Sequence, residues 1–188
     1  SGWNGSNGQK TTNGWEATEG LLTGVASGSV IITESIHDNF ELEFQWKVEE
    51  GGDGGIFFRV PSPLPLDQIQ KLSPEMQIID EQSNLDAAVS ESHVTGSVYD
   101  ILPPNYLLSK PVAEFNHSRI LVSGQNIEHW LNGIKVLDYK LRDANWNYGL
   151  ENSLFKGMSG FASSPNGHIA VANQQGKISL KNIRLRNL

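Results

Sequence analysis

The stretch Phe40–Val48, which reads FELEFQWKV, decides the fold class of this chain. Apolar residues occupy every second position of the stretch, and polar residues fill the gaps. Because side chains alternate between the two faces of a β-strand, one face of this segment is buried and the other meets solvent. The alternation excludes a helix and is typical of an antiparallel strand that covers a core on one side.

Other short segments have the composition of strands and are separated by turn residues. They are residues 20–25, 29–33, 56–60, 75–80, 118–123, 126–131, 134–139, 168–172 and 177–185. Asn132-Gly133 predicts a two-residue hairpin, because a type I′ turn needs positive φ at both positions. A change of apolar phase at Asn182 predicts a bulge or a strand that passes between two sheets. The pattern predicts an all-β fold, an antiparallel two-sheet jelly-roll sandwich, as a single domain over residues 1–188.

Composition narrows the classes of function. The chain has 188 residues, with 14 lysines and arginines against 21 aspartates and glutamates, for a formal net charge of −7. This balance disfavours binding to nucleic acid or to anionic lipid. No apolar run approaches the roughly 20 residues that cross a bilayer, so no membrane span is expected. The absence of cysteine excludes disulfides, thiolate metal sites and cysteine nucleophiles.

Two long segments, 61–74 and 81–117, flank the predicted strand 75–80. Loops of this length in a compact domain are usually functional or disordered. Because both adjoin the same strand, they are predicted to form the walls of a pocket over it. Mobile surface loops are an equally open alternative. Within these segments, residues 65–72 predict a helical turn, and residues 84–89 predict a weaker one.

Two of the predicted strands carry charged side chains that can meet. Glu75 and Gln77 share one face of their strand because they are two residues apart. If the strand 56–60 lies alongside, Arg59 and Glu75 meet on one exposed sheet surface. The alternative is an ordinary cross-strand ion pair, which contributes about 0.2–1 kcal/mol to stability.

The sequence gives little sign of a metal or cofactor. Asp53 lies between glycines, and Asp100 lies near carbonyl groups that could complete a Ca²⁺ site. No set of ligands occurs at calcium-binding spacing, however. The expectation is therefore that no cofactor is bound, with Ca²⁺ left open and Asp53 interpreted as a turn residue.

Seven short motifs, taken in their order along the chain, carry a resemblance to a known family. They are GWEATEGLL (14–22), DNFELEF (38–44), GGDGGIFFR (51–59), EMQIID (75–80), GSVY (96–99) followed by PP (103–104), IEHWLNG (127–133) and ISLKNIR (178–184). Together they resemble the 3-keto-disaccharide hydrolase domain family, a branch of the concanavalin A-like lectin/glucanase jelly rolls. The order and spacing of the motifs, rather than any one of them, make the resemblance specific.

The resemblance implies a fold, a substrate and a location. It implies a sandwich whose concave sheet binds a carbohydrate, and cleavage of a glycosidic bond whose sugar carries a ketone at carbon 3. The ketone acidifies the hydrogen at carbon 2, so a base can remove it, the aglycone at carbon 1 can depart, and water can add. It also implies an exported protein, periplasmic or secreted. The start at Ser1 without a methionine fits either a leader that has been removed or a tag scar.

Three residues are expected to carry the chemistry by this resemblance. Glu75 would act as base or acid, and Arg59 would be its electrostatic partner or would bind the substrate oxygen. His129 is the second acid/base candidate because the ordinary pKa of histidine is near neutral. Its apolar neighbours on the strand, Ile127 and Leu131, make a buried core histidine about equally open.

Three further residues are expected to bind the substrate. Gln77 would hydrogen-bond a hydroxyl group, and the Tyr99 ring would stack on a sugar face. Asp80 reaches the site only if its strand bends or ends before it, and otherwise it caps a turn. The oligomeric state is left open.

One departure from the family pattern bears on activity. Relatives carry a Gln-Asp-His-Gly-like run before the last strand, where this chain reads ANQQG at 172–176. Gln174 therefore stands at the place of the expected histidine, and a neutral amide cannot transfer a proton. This favours a second hypothesis, in which the chain is a non-catalytic carbohydrate-binding, lectin-like module.

Overall fold

A computed structural model of the chain describes residues 2–9 and 13–188, and it confirms an all-β sandwich of two antiparallel sheets. The strands are β1 (Trp3–Gly5), β2 (Trp15–Thr18), β3 (Leu21–Gly24), β4 (Ser29–Thr33), β5 (Phe40–Val48), β6 (Asp53–Val60), β7 (Glu75–Ile79), β8 (Asn116–Ser123), β9 (Asn126–Leu131), β10 (Ile134–Lys140), β11 (His168–Gln175) and β12 (Ile178–Asn187). The helices are α1 (Leu66–Leu72) and α2 (Ala144–Glu151), with short 3₁₀ turns at Asp86–Ala88 and Glu91–His93.

The strands form one five-stranded and one seven-stranded sheet. The order in the first is β1-β4-β11-β6-β7, and in the second it is β10-β9-β8-β5-β12-β3-β2. Strand β5 lies at the centre of the seven-stranded sheet, whereas β7 is the last strand of the five-stranded sheet. The predicted strands 40–48 and 75–80 therefore belong to opposite layers.

The core between the sheets follows from the alternation in β5. Its buried side chains are Phe40, Leu42, Phe44, Trp46 and Val48. They belong to one cluster with the alternate residues Ile56 and Phe58 of β6 and Met76 and Ile78 of β7. Burying side chains of this size stabilises the fold by about 1.5–3 kcal/mol each. Because these side chains point inward, the alternate side chains of β6 and β7 lie on the outer face of the five-stranded sheet.

Helix α1 covers part of that outer face. Its Ile69 is fully buried and packs in a second apolar cluster with Val30, Ile32, Phe57 and Ala170. The predicted helical turn at 65–72 is thus confirmed, and burial of Ile69 holds the helix against the sheet beside β7.

Two turn predictions are confirmed by backbone angles. Asn132 has φ of 50° and Gly133 has φ of 87°, both positive as a type I′ hairpin requires. Asn182 has φ of 53°, and the register between β12 and β5 shifts between Lys181 and Arg184. The change of phase is therefore a bulge, and β12 stays within the seven-stranded sheet.

Three elements of the fold were not predicted from the pattern. Strands β1 and β2 are too short to show alternation, and α2 has no clear apolar period. The start of α2 is fixed by a cap instead, because the Asp143 carboxylate accepts a hydrogen bond of 2.8 Å from the Trp146 backbone N–H. None of the helices in the described ranges is long and apolar enough to cross a membrane.

Candidate active site

Glu75 lies on the outer face of the five-stranded sheet, at the start of β7. It pairs with Phe57 of β6, and Gln77 pairs with Gly55. The predicted sharing of one face by Glu75 and Gln77 is confirmed. The expectation of an exposed surface is wrong, because only 5% of Glu75 and 1% of Gln77 is exposed.

A glycine makes room for the Glu75 carboxyl. A Cβ atom placed on Gly55 would lie 2.1 Å from Glu75 Oε1, so the carboxyl group lies directly over this glycine. The same oxygen accepts a 2.6 Å hydrogen bond from Gln174 Nε2. Gln174 Oε1 in turn accepts a 3.0 Å bond from Gln70 Nε2 of α1. The carboxyl is therefore held from three elements, β6, β11 and, through Gln174, α1.

Burial and a neighbouring acid change how Glu75 titrates. Burial raises the pKa of Glu75 well above its usual value, and the charge of Asp53 raises it further, against the hydrogen bond from Gln174, which lowers it. Burial and the charge of Asp86 also raise the pKa of Asp53 to about 7. Gln77 Nε2 donates to Asp53 Oδ1 at 3.1 Å. The pKa values of the two neighbouring carboxyl groups, Glu75 and Asp53, are therefore both raised.

A cavity of about 270 Å³ opens onto Glu75. It is lined by Asp67, Gln70 and Lys71 of α1, by Tyr99, and by Leu154, Phe155 and Met158. The prediction that segments 61–74 and 81–117 form walls around this strand is confirmed, and residues 154–158 add a third wall that was not predicted. The volume is near the lower end of the roughly 300–1,000 Å³ of ligand pockets, which suits a small ligand.

A histidine network holds two of these walls. His93 Nδ1 lies 3.0 Å from Asp86 Oδ1, and His93 Nε2 lies 2.8 Å from Asp100 Oδ1. The Tyr99 ring stacks on His93 at 4.5 Å, and its hydroxyl donates to Asp86 Oδ2 at 3.0 Å. Asp100 Oδ2 accepts a 2.7 Å bond from the Leu154 backbone N–H. His93 therefore holds Tyr99 by stacking, and it holds the third wall through Asp100.

The charge state of His93 follows from this arrangement. Burial alone would lower the pKa of His93, but the hydrogen bonds and charges of Asp100 and Asp86 outweigh burial and raise it. A protonated imidazole can donate from both nitrogens, so it satisfies both carboxylates at once. The imidazolium also offsets part of the negative charge that gathers near Asp53.

The prediction that Arg59 lies beside Glu75 is wrong. Arg59 has a positive φ of 57° at a bulge, where the register between β6 and β11 shifts. Its side chain donates to the Gly124 carbonyl and lines a separate cavity with Asp38 and Arg142. The bulge turns the guanidinium away from the face that carries Glu75. Among the residues lining the Glu75 cavity, Lys71 is the cationic one.

The prediction that His129 takes part in acid/base chemistry at the site is contradicted by its burial. It is fully buried between the sheets, where it stacks edge-on to Phe58 and Tyr139. Its Nδ1 lies 2.9 Å from the Gly96 carbonyl oxygen. Burial lowers the pKa of His129 to about 4. The structure supports the alternative, a histidine that is buried in the core and hydrogen-bonded there.

Replacing His129 with leucine tests this structural role. At pH 7 the variant should lose about 1–3 kcal/mol of unfolding free energy, because the buried Gly96 carbonyl is left unpaired. The pKa of His129 is about 4 in the folded state, below the ordinary value of 6.5. As the pH falls below 6.5, the unfolded state therefore binds the proton first. The unfolding free energy of the wild-type protein drops by up to about 3 kcal/mol by pH 4 as a result. His129→Leu cannot bind this proton and lacks this loss. In denaturant titrations, the gap in unfolding free energy between the wild type and the variant should therefore be smaller at pH 4 than at pH 7. A gap that stays constant would contradict the neutral buried imidazole.

Asp80 caps a turn, as the alternative interpretation held, and does not reach the Glu75 cavity. Its Oδ2 accepts from the Gly51 N–H at 2.8 Å, and its Oδ1 accepts from the Gln82 N–H at 3.0 Å. Although burial opposes it, these backbone bonds lower the pKa of Asp80. The predicted contact with substrate is therefore wrong for Asp80.

The predicted substrate contacts of Gln77 and Tyr99 stay predictions. Tyr99 lines the cavity, whereas Gln77 is not among its lining residues. Gln77 is buried, and its Oε1 is unpaired among the described residues. An unpaired buried amide oxygen suits a hydroxyl donor or a water molecule.

Asp53 belongs to the same face as Glu75, although the alternation pattern did not predict this. Asp53 and Gly55 are two residues apart on β6, so they share the face of Gln77 and Glu75 once the strand is extended back to residue 53. The glycines around Asp53 suggested a turn and hid the strand. His93 lies in a segment without periodicity, and no pattern pointed to it.

Metal ligation has no support in the described part of the chain. There, no three histidine, aspartate or glutamate side chains are arranged to hold a metal ion. The two aspartates considered for Ca²⁺ have other partners, since Asp53 accepts from Gln77 and Asp100 contacts His93.

Comparison with known proteins agrees with the resemblance seen in the sequence. A model of the 3-keto-alpha-glucoside-1,2-lyase-like domain family matches residues 1–186. A 3-keto-disaccharide hydrolase of Bacteroides thetaiotaomicron is 28% identical over 173 residues, which cover 82% of this chain and 60% of that protein. The chain therefore matches less than two thirds of the length of this relative.

Solved structures share the fold. A Parabacteroides distasonis protein assigned to the glycosyl hydrolases has a TM-score of 0.87 at 22% identity, with 100% of this chain and 89% of that chain covered. The carbohydrate-binding module CBM66 from Bacillus subtilis has a TM-score of 0.61 at 15% identity, with 100% and 96% covered. At these identities the likeness shows the jelly-roll fold alone.

Proposed function

We propose that this chain, which belongs to the 3-keto-alpha-glucoside-1,2-lyase-like domain family, cleaves the glycosidic bond of 3-keto glycosides with Glu75 as the proton-transfer group. The name of the Bacteroides relative supports a 3-keto sugar as substrate. The export that the resemblance implies is part of the same proposal, because an extracellular carbohydrate would then be accessible.

The observation that carries the proposal is the position of the Glu75 carboxyl. It is buried, opens onto a small cavity, and has a raised pKa. A carboxylate with a raised pKa is a stronger base than an ordinary one, and an ordinary carboxylate is too weak to remove a carbon-bound proton readily. An exposed structural ion pair would show neither the burial nor the raised pKa.

The chemistry balances with the groups at hand. The Glu75 carboxylate takes the proton from carbon 2, and the electron pair moves into the ketone to give an enolate. The enolate electrons re-form the ketone with a carbon 1–carbon 2 double bond, and the bond from carbon 1 to the aglycone oxygen breaks. That oxygen takes up the proton that Glu75 removed, which restores the carboxylate. Water then adds across the double bond. On the α1 wall, the Gln70 amide is the donor available to stabilise the enolate oxygen.

The pH dependence of kcat/KM offers two opposite shifts. The charge of Asp53 raises the pKa of Glu75, so Asp53→Asn should move the acid limb of the profile to lower pH. The hydrogen bond from Gln174 lowers that pKa, so Gln174→Leu should move the limb to higher pH. Profiles of kcat/KM from pH 4 to 9 for the three proteins check this. Shifts of both variants in one direction would contradict Glu75 as the titrating base.

The second candidate function is a carbohydrate-binding module without catalysis. Gln174 favours it, because this neutral amide contacts Glu75 directly and stands where the family resemblance implies a histidine. Incubation with a 3-keto glucoside that bears a chromogenic aglycone separates the two. Release of the aglycone above the rate in buffer supports the enzyme, whereas calorimetric binding with no release supports the module.

A further inference from the structure

We propose that the aglycone of the substrate is an apolar alkyl or aryl group, bound between α1 and the wall 154–159. The inference rests on the proposed function and adds the class of leaving group. It starts from a second cavity, of about 380 Å³, lined by Gln68, Lys71, Leu72, Met158 and Ser159.

The second cavity adjoins the one that contains Glu75. Lys71 and Met158 line both of them, so a ligand can extend from one into the other past these two side chains. A substituent on a sugar ring over Glu75 can therefore continue along α1 into the second cavity. The aglycone at carbon 1 is next to carbon 2, where the proton is removed, and must therefore lie close to Glu75.

The two adjoining cavities form a passage that leads away from Glu75, and most of the surface that lines it is carbon. Leu72 and Met158 supply aliphatic surface, and Leu154 and Phe155 continue it toward Glu75. Leu154 is 52% exposed although the Asp100 carboxylate fixes its backbone N–H. An apolar ligand would cover this exposed side chain, which the core leaves unpacked.

The charged group at the passage is already paired. Lys71 lies one helical turn from Asp67, with its Nζ 3.7 Å from Asp67 Oδ2. The methylene groups of a lysine side chain can cover apolar surface while the ammonium stays in water. The hydroxyl groups of a second sugar in this position would lose their hydrogen bonds to water and would contact carbon atoms instead. Buried hydroxyl groups without hydrogen bonds weaken binding. The lining therefore favours an apolar aglycone in this chain, in contrast to the disaccharide in the name of the Bacteroides relative.

A pair of substrates that differ only in alkyl length tests this inference. Methyl and hexyl 3-keto-α-glucosides have the same kind of leaving oxygen, so a difference in kcat/KM reports on contacts with the chain. We expect the hexyl compound to be favoured about tenfold, because each methylene that is buried adds to binding. In Met158→Gln the ratio of kcat/KM for the hexyl compound to that for the methyl compound should fall to near one, and this ratio is the readout because Met158 lines both cavities.

The test is completed by a matched control variant and by two outcomes that would contradict the inference. Leu107→Gln makes the same kind of change at an exposed leucine that lines neither cavity, and it should keep the wild-type ratio. Turnover of both compounds with equal kcat/KM by the wild-type protein would overturn this inference and leave the proposed function standing. Turnover of neither would overturn both.

Discussion

Replacing Glu75 with glutamine is expected to lower kcat/KM for a 3-keto glycoside by about 10³-fold, within the range of general acid–base catalysis. The amide keeps the size of the side chain but cannot accept the proton from carbon 2. Because the raised pKa shows that burial disfavours the charged carboxylate, the neutral amide should not lower the unfolding free energy at pH 8. Steady-state kinetics and a denaturant titration on the same preparation measure both effects.

Glu91→Gln is the matched control for this variant. Glu91 is exposed and lines neither cavity, so the same chemical change there should leave kcat/KM and stability at wild-type values. Wild-type turnover by Glu75→Gln would contradict the assignment of Glu75. Loss of turnover together with loss of the folded state would show that Glu75 is structural.

Adding one methyl group at Gly55 is expected to be almost as damaging to activity, at about 100-fold in kcat/KM, since displacements near 1 Å can cost that much. The new Cβ would lie 2.1 Å from Glu75 Oε1, so the carboxyl must move from its position over the glycine. Gly55 has no left-handed φ, so alanine introduces no backbone strain. Overpacking lowers stability by about 1–3 kcal/mol, which leaves a folded protein for kinetics.

A double variant separates displacement of the carboxyl from general damage. Glu75→Ala removes both Cγ and the carboxyl group, the atoms nearest to the new Cβ, and so frees the space above residue 55. Adding Gly55→Ala to Glu75→Ala should therefore lower the residual kcat/KM by much less than a further 100-fold. A full and independent loss in the double variant would show that the methyl group acts elsewhere than on the carboxyl.

The strands were predictable because burial on one face imposes a period of two. The segments 40–48 and 75–80 were located within one residue, and the hairpin at Asn132-Gly133 followed from the φ values that its turn demands. The predicted site was conditional on the pairing of β6 with β7, and the structure contains this pairing. Local rules thus located the carboxylate on its strand.

The partners of the carboxylate were not predictable, for two physical reasons. A bulge reverses the face of a side chain without changing the composition of its strand, and Arg59 lies at such a bulge. Residues in segments without periodicity are placed by tertiary contacts alone, as His93 is by Asp86 and Asp100. His129 shows the reverse case, because its apolar neighbours on alternate positions correctly indicated burial.

The central claim, that Glu75 removes the proton from carbon 2 of a 3-keto sugar, is tested most directly with a substrate deuterated at that carbon. Release of the aglycone by the wild-type protein should be slower from the deuterated compound than from the protiated one, since the bond to hydrogen breaks before the aglycone leaves. Equal rates for the two compounds, with chemistry shown to limit turnover by a single-turnover experiment, would contradict the account.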